Sequence, residues 1–457
     1  MTGSVLACSL VLLVPATTSL GRVDSTSKPN VVLIVTDDQR WDSLDQMPAL
    51  AAAPGWARFS NAFVDEPQCC PSRAGIFTGR YPQHTGVETL RDGPKMNDKR
   101  TIATILHGAG YRTGHYGKYL NDYPFGRGLF TPPGWDQFVA SAGAGDYYNY
   151  KLAENGHAVS YGSAPKDYKT DVLAAMSRKF ISTTKPSQPF LLYLAFNAPH
   201  SDSKGRVLPA PGDRGSCAGR TYPEPPNLNV HDTVSEPSWM SAEQPVNAVN
   251  MQFQRAATCE ALGGVDQAVM SILTELERTG RLENTYVIFT SDNGYAFGEH
   301  RLVGKGDLYE ASVRVPLLVR GPGVQAGTVD RLTSNVDFVP TILDWARVRP
   351  PRHFLDGSSF ASDLRGQPTE HEPQEVLLRG CRTQRGGRNV CGGYHSNMGF
   401  NWGLRTATHK YIEYPDGYIQ MFDLTSDPWE MTNPAADPAE APLIADLHAR
   451  LARLRAR

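Results

Sequence analysis

The chain has 457 residues, 40% hydrophobic and 20% charged, with a formal net charge of -2. That length allows two or three average domains, or one large domain and a small one. A near-neutral charge argues against a nucleic-acid binder, whose footprint is a basic excess, and no low-complexity tract departs from a globular composition.

The chain opens on MTGSVLACSLVLLVPATTSLGR. Its apolar run, Val5 to Val14, is far short of the roughly 20 residues that span a bilayer. Pro15 and small residues follow, so residues 1–21 read as a signal peptide without the usual basic start. Secretion or another extracytoplasmic location is expected, with no stable membrane insertion.

NVVLIV (30–35) is a continuous apolar, β-branched run, the pattern of a buried parallel strand. FLLYLAF (190–196), NTYVIFT (284–290) and VPLLVRG (315–321) look similar. Helical patterns lie between and after them at 101–110, 171–181, 248–280 and 336–346. Strands alternating with helices predict a parallel sheet covered on both faces. The turn-rich stretch 347–374 reads as a junction. Beyond it, 375–380, 402–414 and 418–424 predict a small antiparallel sheet, and 439–456 a terminal helix. The expected fold is therefore α/β: a large mixed, mostly parallel sheet sandwiched by helices in a domain at 29–346, then an α+β subdomain at 365–457.

Cysteine usage fits an exported chain. Cys381 and Cys391 flank the polar loop RTQRGGRNV, where a disulfide is expected, and Cys217 with Cys259 is a second candidate bridge. No CxxC pair exists, which disfavours a structural zinc site.

Two buried strands end alike, in Asp37-Asp38 and in Asp292-Asn293. Ligands in open α/β sheets bind beyond the carboxyl ends of strands. Carboxylates gathered there repel unless a cation neutralises them, and all-oxygen ligands suit Ca²⁺ or Mg²⁺. Either aspartate alone could equally cap a helix; two matched pairs favour the cation.

The segment Cys69-Cys70-Pro71-Ser72-Arg73 carries a second signal. Pro71 suits a helix first turn, which places Cys69 at a helix mouth where backbone N–H groups favour an anion. Arg73, one turn along, has the fork to hold an oxyanion in bidentate fashion. A vicinal disulfide would need a strained ring.

Cys69-x-Pro71-Ser72-Arg73-x-x-x-x-Thr78-Gly79-Arg80 resembles the signature of the type I sulfatases. The resemblance runs nearly the whole chain, through PNVVLIVTDDQ, GYRTGHYGKY, APH, FTSDNG, GEHRL-x-GK and VDFVPTILD. The doubled cysteine, GKYLN and DYKTDVL look most like N-acetylglucosamine-6-sulfatases and related sugar or aryl sulfatases. It implies an alkaline-phosphatase-like fold and oxidation of Cys69 to Cα-formylglycine by a dedicated maturase. It further implies Ca²⁺, with Mg²⁺ as an alternative, bound by Asp37, Asp38, Asp292, Asn293 and modified Cys69. Arg73 would stabilise the hydrated aldehyde, Lys118 and Lys305 would grip the sulfate, and His200 would contact sulfate or leaving group. His84 is a further candidate for the pocket wall.

The implied reaction is attack of the aldehyde hydrate on sulfur, giving a covalent sulfo-enzyme that the second hydroxyl then resolves. His200 or Lys305 would protonate the leaving alcohol. One position departs from the family pattern: Leu120 stands where many sulfatases carry histidine, leaving Asn121 or His115 to supply that contact. Two other readings stay open, a formylglycine-dependent phosphonate or phosphodiester hydrolase and an inactive homologue that binds sulfated glycans.

Overall fold

The computed structural model describes residues 27–142, 145–232, 236–351, 354–367, 374–381 and 400–457. The expected leader and Cys391 lie outside them, so neither the leader nor the Cys381–Cys391 bridge is addressed by the structure.

The apolar run at 30–35 forms β1 (Asn30–Asp37), and its neighbours in sequence build the rest of a ten-stranded sheet. The others are β2 (Ala57–Phe63), β3 (Arg112–Gly117), β4 (Gln137–Ser141), β5 (Lys151–Glu154), β6 (His157–Ser160), β7 (Phe190–Pro199) and β8 (Thr285–Ser291). A two-residue hairpin, β9 (Ala296–Phe297) with β10 (Val303–Gly304), stands apart, and β11 (Leu317–Arg320) and β12 (Gly327–Ser334) complete the large sheet. The order is β12-β2-β11-β8-β1-β7-β3-β4-β5-β6, with a parallel centre β8-β1-β7-β3-β4.

β1 is buried on both faces, and its alternation divides the core. Val31, Leu33 and Val35 join one apolar cluster, and Val32 and Ile34 join the other. Helices Cys69–Thr78, Ile102–Gly108 and Phe338–Ala346 cover the first face, and Lys169–Thr183 and Ala248–Arg278 the second. Each such buried side chain contributes about 1.5–3 kcal/mol, so the central strand is anchored from both sides.

The 315–321 run differs from the expected parallel direction. β11 runs antiparallel to both neighbours, β8 and β2. Between β8 and β11 lie the site loop, the β9–β10 hairpin and one short helix, Glu310–Val313, none of them a long crossover helix. Without a crossover helix the chain folds straight back, which antiparallel pairing permits.

The C-terminal strands β13 (Glu375–Gly380), β14 (Asn401–Thr406), β15 (His409–Glu413) and β16 (Ile419–Asp423) form an antiparallel sheet in chain order. Val376, Leu378, Ile412 and Phe422 pack against Phe63, Leu308 and Val313 of the large domain. Leu377, Leu404, Tyr411 and Met421 face Leu447, Leu451 and Leu454 of the terminal helix Ala441–Arg455. Cys217 and Cys259 form a disulfide, tying the 201–247 loop to the long helix. Among the described residues no helix is long and apolar enough to cross a membrane.

Candidate active site

β1 and β8 are parallel neighbours with Thr36 opposite Ser291, so their carboxyl ends deliver Asp37-Asp38 and Asp292-Asn293 side by side. Asp292 donates its N–H to the Thr36 carbonyl at 3.1 Å. Asp38, at φ 67°, turns back to receive the Asn293 amide at 2.6 Å. Asp37, Asp292 and Asn293 are wholly buried.

Cys69 begins the helix Cys69–Thr78, as its Pro71 predicts. Gln68 caps this helix without a side-chain hydrogen bond, leaving the first amides for another acceptor. Gly79 ends it at φ 68°, where a Cβ would lie 2.9 Å from the Val339 Cβ. The helix therefore has a fixed stop as well as a fixed start, and Cys69 is held at its head. One ligand atom each from Asp37, Cys69 and Asp292 lies within 4.8 Å of the others.

Arg73 reaches the same point from one turn along and is fully buried. Its Nε bonds Asp292 Oδ2 at 2.7 Å, one terminal nitrogen bonds the Lys118 carbonyl at 3.1 Å, and the other lies 3.7 Å from Asp37 Oδ2. Nε and one terminal nitrogen are thus committed to a carboxylate and a carbonyl, while the other terminal nitrogen makes no hydrogen bond, and in this arrangement Arg73 braces the acidic cluster.

Lys118 follows β3, where its N–H bonds the Ala195 carbonyl at 3.0 Å. The preceding Gly117 sits at φ 116°, and a Cβ there would fall 1.8 Å from the Ala195 oxygen, so only glycine permits the approach. The Lys118 ammonium bonds Asp37, and that of Lys305 bonds Asp38 and lies 3.7 Å from Asp37. His200, just beyond β7, holds the Ser201 carbonyl through Nδ1 at 2.6 Å, and its Nε2 lies 3.7 Å from Asp38. The proton belongs on Nδ1 because a carbonyl only accepts. Tyr147 fixes the His200 backbone by donating to its carbonyl at 2.8 Å.

Burial would raise the Asp37 carboxyl, but Lys118, His200, Lys305 and Arg73 together hold it far below the ordinary range. Asp292 moves up instead, because burial and the Asp37 charge outweigh Arg73. Lys118 and Lys305 are pushed down by burial and, more strongly, up by the carboxylates, so both are charged.

The cluster opens into a cavity of about 470 Å³ lined by Cys69, Lys118, Asn121, Ser141, Asn197, His200, Asp202 and Lys305, among others. The structure thus brings together Asp37, Asp38, Cys69, Arg73, Lys118, His200, Asp292, Asn293 and Lys305. It does not bring His84, which bonds Asp356 at 2.7 Å and lines a separate cavity with Arg80 and Arg100. His84 lies beyond the far end of the Cys69–Thr78 helix, so its proximity in sequence does not become proximity in space.

The Leu120 side chain is turned into the apolar core. His115 is wholly buried, stacked between Tyr193 and Phe138, and burial lowers it to about 3. Asn121 instead lies 3.4 Å from Cys69 Sγ. Ser141 and Asn197 are not among the residues the sequence singles out. Asn197 opens the NAPH segment that carries His200, near the end of β7, and Ser141 is signalled by position alone, at the end of β4. Cys70 is buried and reduced, its thiol pushed up to about 12 chiefly by that burial.

The donor set fits a hard cation. Asp37 Oδ1 and Asn293 Oδ1 are buried and accept no hydrogen bond, and such orphaned oxygens are costly unless a ligand satisfies them. Three carboxylates balance three cations, Arg73, Lys118 and Lys305; a divalent cation would make the pocket net positive and attractive to an anion.

A family model described as Sulfatase matches residues 29–348, and one described as N-sulphoglucosamine sulphohydrolase, C-terminal, matches 298–457. The chain is 34% identical over 486 residues to N-acetylglucosamine-6-sulfatase of Homo sapiens, covering 95% of this chain and 86% of that protein. It is 36% identical over 360 residues to the extracellular sulfatase SULF-1 homolog of Drosophila melanogaster, covering 73% and 31%. A structure solved with its substrate D-glucosamine-2-N,6-O-disulfate superposes with a TM-score of 0.77 at 22% identity, covering 93% of this chain and 97% of that one. The phosphonate monoester hydrolase of Agrobacterium radiobacter superposes at 0.74, also at 22% identity, covering 94% and 96%.

Proposed function

The chain belongs to the sulfatase family and is a sulfuric ester hydrolase, and from that premise we propose that it desulfates a sugar, 6-sulfated N-acetylglucosamine first. We propose in addition that a maturase converts Cys69 to formylglycine, and that Asp37, Asp38, Asp292 and Asn293 hold Ca²⁺. The single observation that carries this reading is the convergence of Asp37, Asp292 and Cys69 within 4.8 Å at a helix mouth. The name of the human relative supports the sugar and its 6-position.

The Cys69 sulfur stands where an aldehyde-hydrate oxygen would lie. Bound there, the cation would supply Lewis acidity, and the hydrate would supply two oxygens on one carbon, one to attack and one to release the sulfate. Lys118 and Lys305 aim ammonium groups at the cavity floor, where three sulfate oxygens gather charge in the transition state. Arg73 keeps Asp292 and Asp37 fixed. His200, with its Nδ1–H committed to Ser201, presents Nε2, which in the imidazolium form carries a second proton to the leaving alcohol; Lys305 is the second candidate. Secretion or another extracytoplasmic site accords with the Cys217–Cys259 disulfide. The units 29–346 and 365–457 are proposed as catalytic domain and subdomain.

The test is a substrate panel on the matured enzyme: 6-sulfated N-acetylglucosamine, other sugar sulfates, an aryl sulfate and a phosphonate monoester. Preference for the 6-sulfated sugar is expected. Turnover of the aryl sulfate alone would remove the sugar assignment, and preference for the phosphonate would move the enzyme to the second chemical class.

A further inference from the structure

Among the described residues, Asn121 accepts a hydrogen bond from the Cys69 thiol, its Oδ1 lying 3.4 Å from Sγ. It is half-buried and lines the same cavity as Lys118, His200 and Lys305. The backbone around it is built to hold it there. Lys118 is pinned to Ala195, the Leu120 side chain plugs into the core, and Tyr123 closes a turn onto the Leu120 carbonyl at 3.4 Å. Beneath the turn lies Gly93, where a Cβ would sit 2.9 Å from the Asn121 carbonyl oxygen. The Asn121 backbone N–H also faces the buried Cys70 sulfur, so both cysteines of the doubled pair meet this one residue.

An amide offers one accepting and one donating atom side by side. With Oδ1 on the nucleophilic position, the same amide carries Nδ2 on a residue that lines the cavity. We infer that Asn121 is a catalytic contact, its carbonyl oxygen accepting the hydrogen of the attacking hydroxyl and its NH₂ donating to a sulfate oxygen. This rests on the sulfatase reading above. Asn121 has no charge to change with pH, so it orients the nucleophile and binds the oxyanion without taking the proton. Attack transfers the SO₃ group from the ester oxygen to the hydroxyl oxygen. The proton leaving the hydroxyl goes to solvent or a neighbouring carboxylate, and the alcohol takes its proton from His200 or Lys305.

Removal of one oxyanion donor costs about 10²–10³ in kcat, and that loss is expected for Asn121→Ala. Inhibition by inorganic sulfate should weaken by about 10- to 150-fold, the roughly 1.5–3 kcal/mol of one lost hydrogen bond to a charged group converted at 1.4 kcal/mol per tenfold. Aldehyde occupancy at position 69, read by mass spectrometry, should equal that of the unaltered enzyme. Asn121→Asp keeps the shape and adds a repelling charge, so it should lose sulfate inhibition altogether while melting near the parent temperature. Turnover within about threefold of the parent at full aldehyde occupancy would overturn the inference, the threshold lying well inside the 10² expected for a lost donor. So would a loss of activity that merely tracks a loss of aldehyde, since that would place Asn121 in maturation. Absence of sulfatase turnover in the parent enzyme, assayed alongside, would instead sink the underlying reading.

Discussion

Replacing Arg73 with methionine removes a charge from a site with no access to water. Arg73 is 0% exposed and bonds Asp292 at 2.7 Å and the Lys118 carbonyl at 3.1 Å, with Asp37 at 3.7 Å. Methionine fills most of the space, so the loss is electrostatic rather than a cavity. Breaking a buried pair by removing one partner costs about 3–5 kcal/mol, because the remaining charge is stranded. The unpaired Lys118 carbonyl belongs to the same network and is not added separately. The expected loss is therefore about 3–5 kcal/mol, or roughly two to three and a half powers of ten in the unfolding equilibrium. Urea unfolding followed by tryptophan fluorescence, in chelator and in excess Ca²⁺, measures it. The deficit should be full in chelator and smaller with the cation, which supplies the missing positive charge. A loss under about 1 kcal/mol in chelator, the range of an exposed pair, would refute the claim that Arg73 braces the carboxylates.

Two further predictions concern stability. His115 is buried neutral and held at about 3, well below its ordinary 6.5. Below pH 6.5 the unfolded chain takes a proton that the folded chain refuses, so stability falls as pH drops from 6.5 toward 3, by up to about 1.4 kcal/mol per unit. His115→Phe should flatten that fall, and urea midpoints at pH 6.5 and 4.5 that shift in parallel with the parent would contradict it. The Cys217–Cys259 bridge spans 42 residues, and closing a loop of that size stabilises by roughly 4 kcal/mol in the chain-entropy account. The Cys217→Ser, Cys259→Ser double variant should lose about 3–4 kcal/mol by the same unfolding assay, and a loss below about 1 kcal/mol would show that the 201–247 loop gains little from the tether.

The site was more legible than the sheet. Strand-end acids and a proline-started helix are local signals, and both survive because β1 and β8 are neighbours in register. Strand direction is not local. LLVR reads the same either way, and the return from β8, which carries no long crossover helix, makes β11 antiparallel. β3 was invisible as a strand because RTGHYG carries few apolar residues, yet it is central enough to place Lys118. His84 failed for a related reason: the ten-residue helix between Cys69 and Thr78 carries it away from the cavity. Arg73 lies within reach of the cluster as its spacing predicts, and its partners are Asp292 and the Lys118 carbonyl, since spacing gives reach and not the partner reached. The sequence leaves Asn121 as one of two options, and the structure commits the side chains of Leu120 and His115 to the core.

The central claim is that position 69 works as an aldehyde and not as a thiol. Mass spectrometry of the tryptic peptide Phe59–Arg73, from protein produced in the native host, tests it directly. The account predicts formylglycine at Cys69 beside an unmodified Cys70, with the converted fraction tracking sulfatase activity between preparations. A fully active enzyme carrying an intact thiol at Cys69 would contradict it.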